Sequence, residues 1–151
     1  QAANEEKPAW CYQANLPEYG EKYGKLYNWY AVNDPRGLAP KGYHIPTKAE
    51  WDSLVSYIDG EDTAGGEKLK SSEGWFNDAN GTNESGFSGL PGGLRLYDGD
   101  FLNIGKNSDW WSATENDASN AWRFGLLYRN THLGSGYYLK GFGFSVRCLR
   151  D

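Results

Sequence analysis

Only one stretch of this chain carries everything a helix needs, and that limits what the rest can be. Thr47 stands as an N-cap with Glu50 three residues on, the reciprocal capping box. Trp51, Leu54, Val55 and Ile58 follow at i, i+3, i+4 and i+7, an apolar stripe on one helical face. Gly60 stands where a left-handed residue ends a helix. The spacing predicts a helix over about 47–59. A shorter one is expected over about 62–71, weakened by Gly65 and Gly66.

Elsewhere glycine punctuates the chain too densely for long helices. There are 20 Gly among 151 residues, with 7 Trp, 11 Tyr and 6 Phe to build a core. Disordered chains are poor in aromatics, so this one folds. Runs at 10–12, 26–32, 110–114, 121–129 and 142–149 read as strands. Between them, 72–105 is dominated by Gly, Asn, Asp and Ser but keeps Leu90, Leu94 and Leu96, the pattern of a long ordered loop. Strands at both ends with helices between imply one α+β domain over 10–151, its termini meeting in one twisted antiparallel sheet. Residues 1–9 read as a flexible, polar lead-in.

Charge and cysteine content narrow the function. A net charge of −5 argues against nucleic acid as a general partner. The segment 122–150 nevertheless holds Arg123, Arg129, Lys140, Arg147 and Arg150 and no acid. That end would suit an anionic ligand, and scattered solvated charges would look the same. No apolar run approaches the roughly 20 residues that span a bilayer. No Met occurs, so Gln1 is expected to follow a removed leader. The two cysteines, Cys11 and Cys148, lie near opposite ends. A disulfide between them is the expectation, and loops of about 100 residues give such a bridge on the order of 4–5 kcal/mol. The competing reading is two unrelated buried thiols.

Five segments in order resemble one family, the Fibrobacter succinogenes major paralogous domain of bacterial surface proteins. They are Tyr23 to Val32; Gly42 to Thr47 with Glu50-Trp51; Thr82 to Phe87 with Leu90 to Gly93; Trp110 to Glu115; and Gly143 to Cys148. That family is similar to the C-type-lectin-like fold and, distantly, to formylglycine-generating enzymes. The resemblance implies an extracellular module: a surface lipoprotein or pilus-tip adhesin binding a protein or glycan. In some relatives of this wider fold the contacts are diversified by retroelements.

Catalytic equipment is sparse. The cysteine pair that binds copper in the formylglycine-generating relatives is missing, because Cys148 matches only their last strand. His44 and His132 stand without a carboxylate neighbour in sequence, and His44 reads as structural. No phosphate loop, nucleophile elbow or zinc signature occurs. The chain is therefore expected to be no enzyme and to hold no cofactor. Asp78, Asn80, Thr82 and Glu84 alternate like calcium ligands, but Asn83 replaces the glycine of an EF-hand loop, and turn chemistry is the better reading.

The last third offers a binding face. Trp122, Phe124, Leu126 and Tyr128 alternate with Arg123, Gly125, Leu127 and Arg129, so the two sets point to opposite faces of a strand. The even set suits the core and the odd set a ligand. Beyond it, Asn130, Thr131, His132, Ser135, Tyr137, Leu139, Lys140 and Phe142 extend the candidate contacts through a loop. From spacing alone, an ordinary solvated hairpin fits equally well. The resemblance favours binding, since diversified relatives carry their contacts in this stretch.

Overall fold

A computed structural model describes residues 5–58 and 65–151. Its centre is a three-stranded antiparallel sheet of β6 (Asn107–Glu115), β7 (Asn120–Leu127) and β8 (Gly134–Leu139), in the order β6-β7-β8. Consecutive residues of a strand face opposite ways. Trp110 therefore points into one core and Trp111 into another.

The first core is closed by α3 (Lys48–Tyr57), the helix written in the sequence. Its capping box forms as expected: Glu50 N–H donates to Thr47 Oγ1 at 3.3 Å, and Thr47 N–H to Glu50 Oε2 at 2.8 Å. Trp51 stacks on Phe124 at 5.2 Å and 11°, beside Trp110 at 6.1 Å. Val55, Ile58, Leu126 and Leu133 fill the remainder, with Leu69 of the shorter helix α4 (Gly65–Leu69). Gly60 and the start of the expected second helix, 62–64, lie outside the described residues.

The second core gathers Trp29, Val32, Ile45, Leu94, Trp111, Ala121 and Phe144 on the other face of the sheet. Its two indoles are satisfied by backbone: Trp29 Nε1 donates to Ser112 O at 2.9 Å and Trp111 Nε1 to Tyr27 O at 2.8 Å.

The remaining elements are short. β1 (Trp10–Cys11) pairs with β2 (Leu26–Tyr27), β3 (Tyr43–His44) with β9 (Leu149–Arg150), and β4 (Leu94–Arg95) with β5 (Phe101–Leu102), all antiparallel. The helix α1 (Pro17–Tyr23) lies on the surface, and α2 (Trp29–Val32) is a single turn.

The α+β class stands, but the architecture differs from the expectation at four points. One sheet joining the termini gives way to the three-stranded sheet and three small ladders, tied together by single bridges such as Tyr27 to Phe144. The aromatic run 26–32 breaks after Tyr27 because the Asn28 side chain accepts from Ala31 N–H at 3.1 Å and starts α2. The expected strand at 142–149 makes isolated bridges from 143 to 145 and pairs only at Leu149–Arg150. The lead-in is anchored at its end: Asn28 Nδ2 donates to Lys7 O at 2.8 Å, and Ala9 N–H donates to Asn28 Oδ1 at 3.0 Å.

The expected disulfide is also absent, and both cysteines are free thiols. Cys11 sits in a small recess with Leu26, Arg95 and Gly143, whereas Cys148 lines an apolar cleft with Trp51, Leu54 and Phe87. They occupy different surroundings, and a bridge needs their Cβ atoms within about 4.5 Å.

Candidate binding surface

The face of β7 expected to meet a ligand is turned inward over most of its length. Arg123 lies on the Trp111 side, its side chain 13% exposed. Its Nη2 donates to Tyr138 Oη at 3.1 Å, and its guanidinium lies 4.8 Å over the Tyr138 ring. Gly125 beside it is buried, and a Cβ there would come within 2.5 Å of Asp109 Oδ1 and 2.8 Å of Arg123 Nη1. The glycine makes room for that buried pair. Leu127 is half-buried and only Arg129 is exposed.

Lys140, expected as a displayed cation, is 6% exposed. Its ammonium meets Glu115, donates to Ala118 O at 2.7 Å and sits 5.0 Å over the Trp29 ring. Phe142 packs against the second core between Tyr97 and Tyr138. These corrections share one cause. The sheet is covered on both sides, and sequence alternation separates two faces without saying that either meets water.

The loop expected at 130–140 is mostly β8, hydrogen-bonded to β7 from Gly125/Gly134 to Asn120/Leu139. Its outward residues Ser135, Tyr137 and Leu139 are exposed and share the α3 side of the sheet with Phe124 and Trp122. The β7–β8 connection is held from below. Gly66 N–H donates to Thr131 O at 2.7 Å, and the buried Lys70 Nζ donates to Asn130 O at 2.8 Å. Thr131 and His132 stay exposed above these anchors, and Asn130 is half-buried.

Between α3 and this connection lies a mostly polar cleft of about 310 Å³, lined by Asp52, Val55, Phe124, His132, Leu133, Gly134 and Ser135. An aromatic pair continues it along the strand. Trp122 and Tyr137 face each other across β7 and β8 with ring centroids 5.7 Å apart, edge to face. Lys48 lies 4.7 Å over the Trp122 ring and bonds Asp52 at 2.7 Å. The surface thus joins two aromatics, an ion pair, an imidazole and a hydroxyl.

Of the expected contacts, His132, Ser135 and Tyr137 come together here. Trp122, Lys48 and Asp52 had not been expected. Trp122, expected in the core with Phe124 and Leu126, lies near the start of β7 and is only half-buried. Lys48 and Asp52 carry a legible signal, the i, i+4 spacing on one helix face.

Other groups are engaged locally. A wider cleft of about 390 Å³ lies by Trp10, Tyr27 and Leu38, but its charged pair, Asp34 and Arg36, is mutually bonded at 2.7 and 2.9 Å. Asn80 and Asn83 in the 78–84 segment accept from Trp75 N–H and Ser88 N–H, the turn chemistry expected there. His44 has the carboxylate partners its sequence neighbourhood lacked. Its Nε2 meets Glu50 at 2.8 Å and its Nδ1 meets Asp151 at 2.7 Å. These two bonds, Asp151's first, raise its pKa above the usual imidazole value.

No curated protein and no solved structure matches this chain. A family model does match, over residues 1–150, and by it the chain belongs to the Fibrobacter succinogenes major domain family.

Proposed function

We propose that this chain is a non-catalytic recognition module, with a C-type-lectin-like arrangement, that binds a protein or glycan ligand outside the cell. It would act as a surface or pilus-tip adhesin or receptor. The observation that carries this reading is the Trp122–Tyr137 pair continuing the polar cleft beside α3. Aromatic rings give contact area at low cost in side-chain entropy, and the neighbouring Ser135, His132 and Asp52 supply hydrogen bonds that set orientation. The double core fixes the backbone beneath, so side chains there can change without loss of the fold, as retroelement diversification would require.

The chemistry of the candidate catalytic groups favours the same reading. Burial raises the Cys148 thiol above its ordinary value, which disfavours the nucleophilic thiolate. Both His44 nitrogens are held by carboxylates.

A screen of the protein against arrayed glycans and cell-surface proteins tests the proposal. Replacing Trp122, His132, Ser135 and Tyr137 together by Ala is expected to abolish every hit while the fold persists by circular dichroism. Hits of unchanged strength would place recognition elsewhere. A pilus or cell-wall packing subunit would give no hits at all.

A further inference from the structure

The two edges of the central sheet differ. The outer edge of β6 is occupied: Trp111 N–H donates to Ser145 O at 3.0 Å, Ser145 N–H to Asp109 O at 3.0 Å, and Ala113 N–H to Pro46 O at 2.8 Å. The outer edge of β8 has no such neighbour among the described residues.

The ladder shows which groups point outward. Lys140 N–H donates to Ser119 O at 2.9 Å, one step beyond the Asn120/Leu139 pair. Antiparallel pairs alternate between bonded and non-bonded, so the bonded partners on β8 are Tyr138, Gly136 and Gly134. The peptide groups of Ser135, Tyr137 and Leu139 therefore face away from β7. Among the described residues, only the Leu139 carbonyl of these meets a donor, Phe142 N–H at 3.0 Å.

We propose that β8 pairs antiparallel with β8 of a second copy of this chain, about a two-fold axis at Tyr137. The outward groups are symmetric about that residue. In this register Tyr137 opposes its own counterpart and Ser135 opposes Leu139, so every outward N–H meets a carbonyl, the Leu139 oxygen accepting through its second lone pair. Registers shifted by two residues leave some of these groups unpaired, and a shift by one sets outward groups against inward ones.

Side chains agree with the backbone. The run 134–139 holds no charged residue, so the net charge of −5 places no like charges at the seam. It also has no Lys, Pro or bulge of the kind that guards free edges. Tyr137 and Leu139 are 57% and 42% exposed and would be covered across the join.

A two-fold axis normal to the sheet keeps the α3 faces of both copies on the same side. Two clefts would then lie side by side and engage a repeating ligand together. This last consequence rests on the recognition reading; the pairing does not.

Sedimentation velocity from micromolar to millimolar protein, with amide exchange on the same samples, tests the pairing. The mass is expected to double with concentration. The Ser135, Tyr137 and Leu139 amides should gain protection as it does, while Gly136 and Tyr138 stay protected throughout. Leu139→Pro removes one outward donor and leaves the β7 ladder intact, so it should weaken self-association at least tenfold. A monomer at every concentration, a dimer whose 135, 137 and 139 amides exchange freely, or a folded Leu139→Pro that dimerises like wild type would overturn the proposal. Trp122→Ala should dimerise normally while losing array hits, so failure of recognition and failure of pairing read out separately.

Discussion

Arg123 Nε lies 3.2 Å from Asp109 Oδ1 on the Trp111 face of the sheet, yet the two do not form a well-aligned hydrogen bond. Asp109 Oδ2 and Arg123 Nε are both buried without a hydrogen-bond partner among the described residues. A buried ion pair offsets its desolvation only when its geometry is good. Here burial prevails: it pushes the Asp109 carboxyl up to about 6, against opposing contributions from Arg123 and Asn107.

The sign of that shift gives the first prediction. A carboxyl whose folded pKa exceeds its unfolded value of 3.8 adds stability that is complete below pH 3.8 and lost as pH rises through about 6. The two-unit gap corresponds to about 3 kcal/mol. Urea unfolding of wild type and Asp109→Asn should give similar stabilities near pH 4, with the Asn protein gaining on wild type by up to that amount at pH 7. A difference that stays constant across this range would refute the assignment.

Gly66 gives a second. An added Cβ would lie 2.7 Å from both His132 C and Thr131 O, backbone atoms that cannot swing aside. Gly66→Ala should cost about 1–3 kcal/mol through overpacking. Lys70→Met should cost a similar amount, about 1–3 kcal/mol, by leaving the Asn130 carbonyl without its donor. In both variants the 130–133 amides should exchange faster than in wild type, while β6 amides change little; hydrogen exchange read by NMR checks this.

A third concerns the His44 cluster. Its raised pKa means a contribution to stability that is full below pH 6.5 and lost as pH rises through the folded value. Glu50 is shifted the other way, chiefly by the Thr47 N–H and then by His44, so its contribution is present above 4.5 and fades as pH falls. The stability difference between wild type and His44→Gln should peak in the window between these limits and shrink above it. An NMR titration of the His44 ring protons should show a midpoint above 6.5 that drops in Glu50→Gln.

The free thiols supply a fourth. Burial raises the pKa of both Cys11 and Cys148, with Arg95 opposing it at Cys11. Without any reductant, both should react with a disulfide reagent, slowly in the native protein at pH 7.5 and at once in guanidinium chloride. Recovery of fewer than two thiols from the denatured chain would restore the bridge.

Much of this was legible in the residues, and the failures have physical causes. Thr47 and Glu50 fix the start of α3 through local bonds, so the sequence alone locates that helix. The tryptophans of β6 and the alternation of β7 likewise announce strands. Strand β8 is hidden in the sequence because Gly134 and Gly136 look like loop residues; here they lie against the layer holding Arg123 and Tyr138. Phe142 to Leu149 alternates like a strand, but pairing depends on a partner far along the chain, and only single bridges form. Arg123 and Lys140 look displayed in the sequence because their counter-charges, Asp109 and Glu115, come from another strand. The partners of His44 are 6 and 107 residues away, beyond any local pattern.

The alternation along β8 has a consequence for how this chain can change over generations. Ser135, Tyr137 and Leu139 belong to neither core cluster, whereas Tyr138 between them packs on the second. Half the strand is thus open to substitution while the other half answers to the interior. Under the proposed recognition role, drift at the open positions would alter what the surface prefers and leave folding untouched, so lineages would acquire new specificities one side chain at a time.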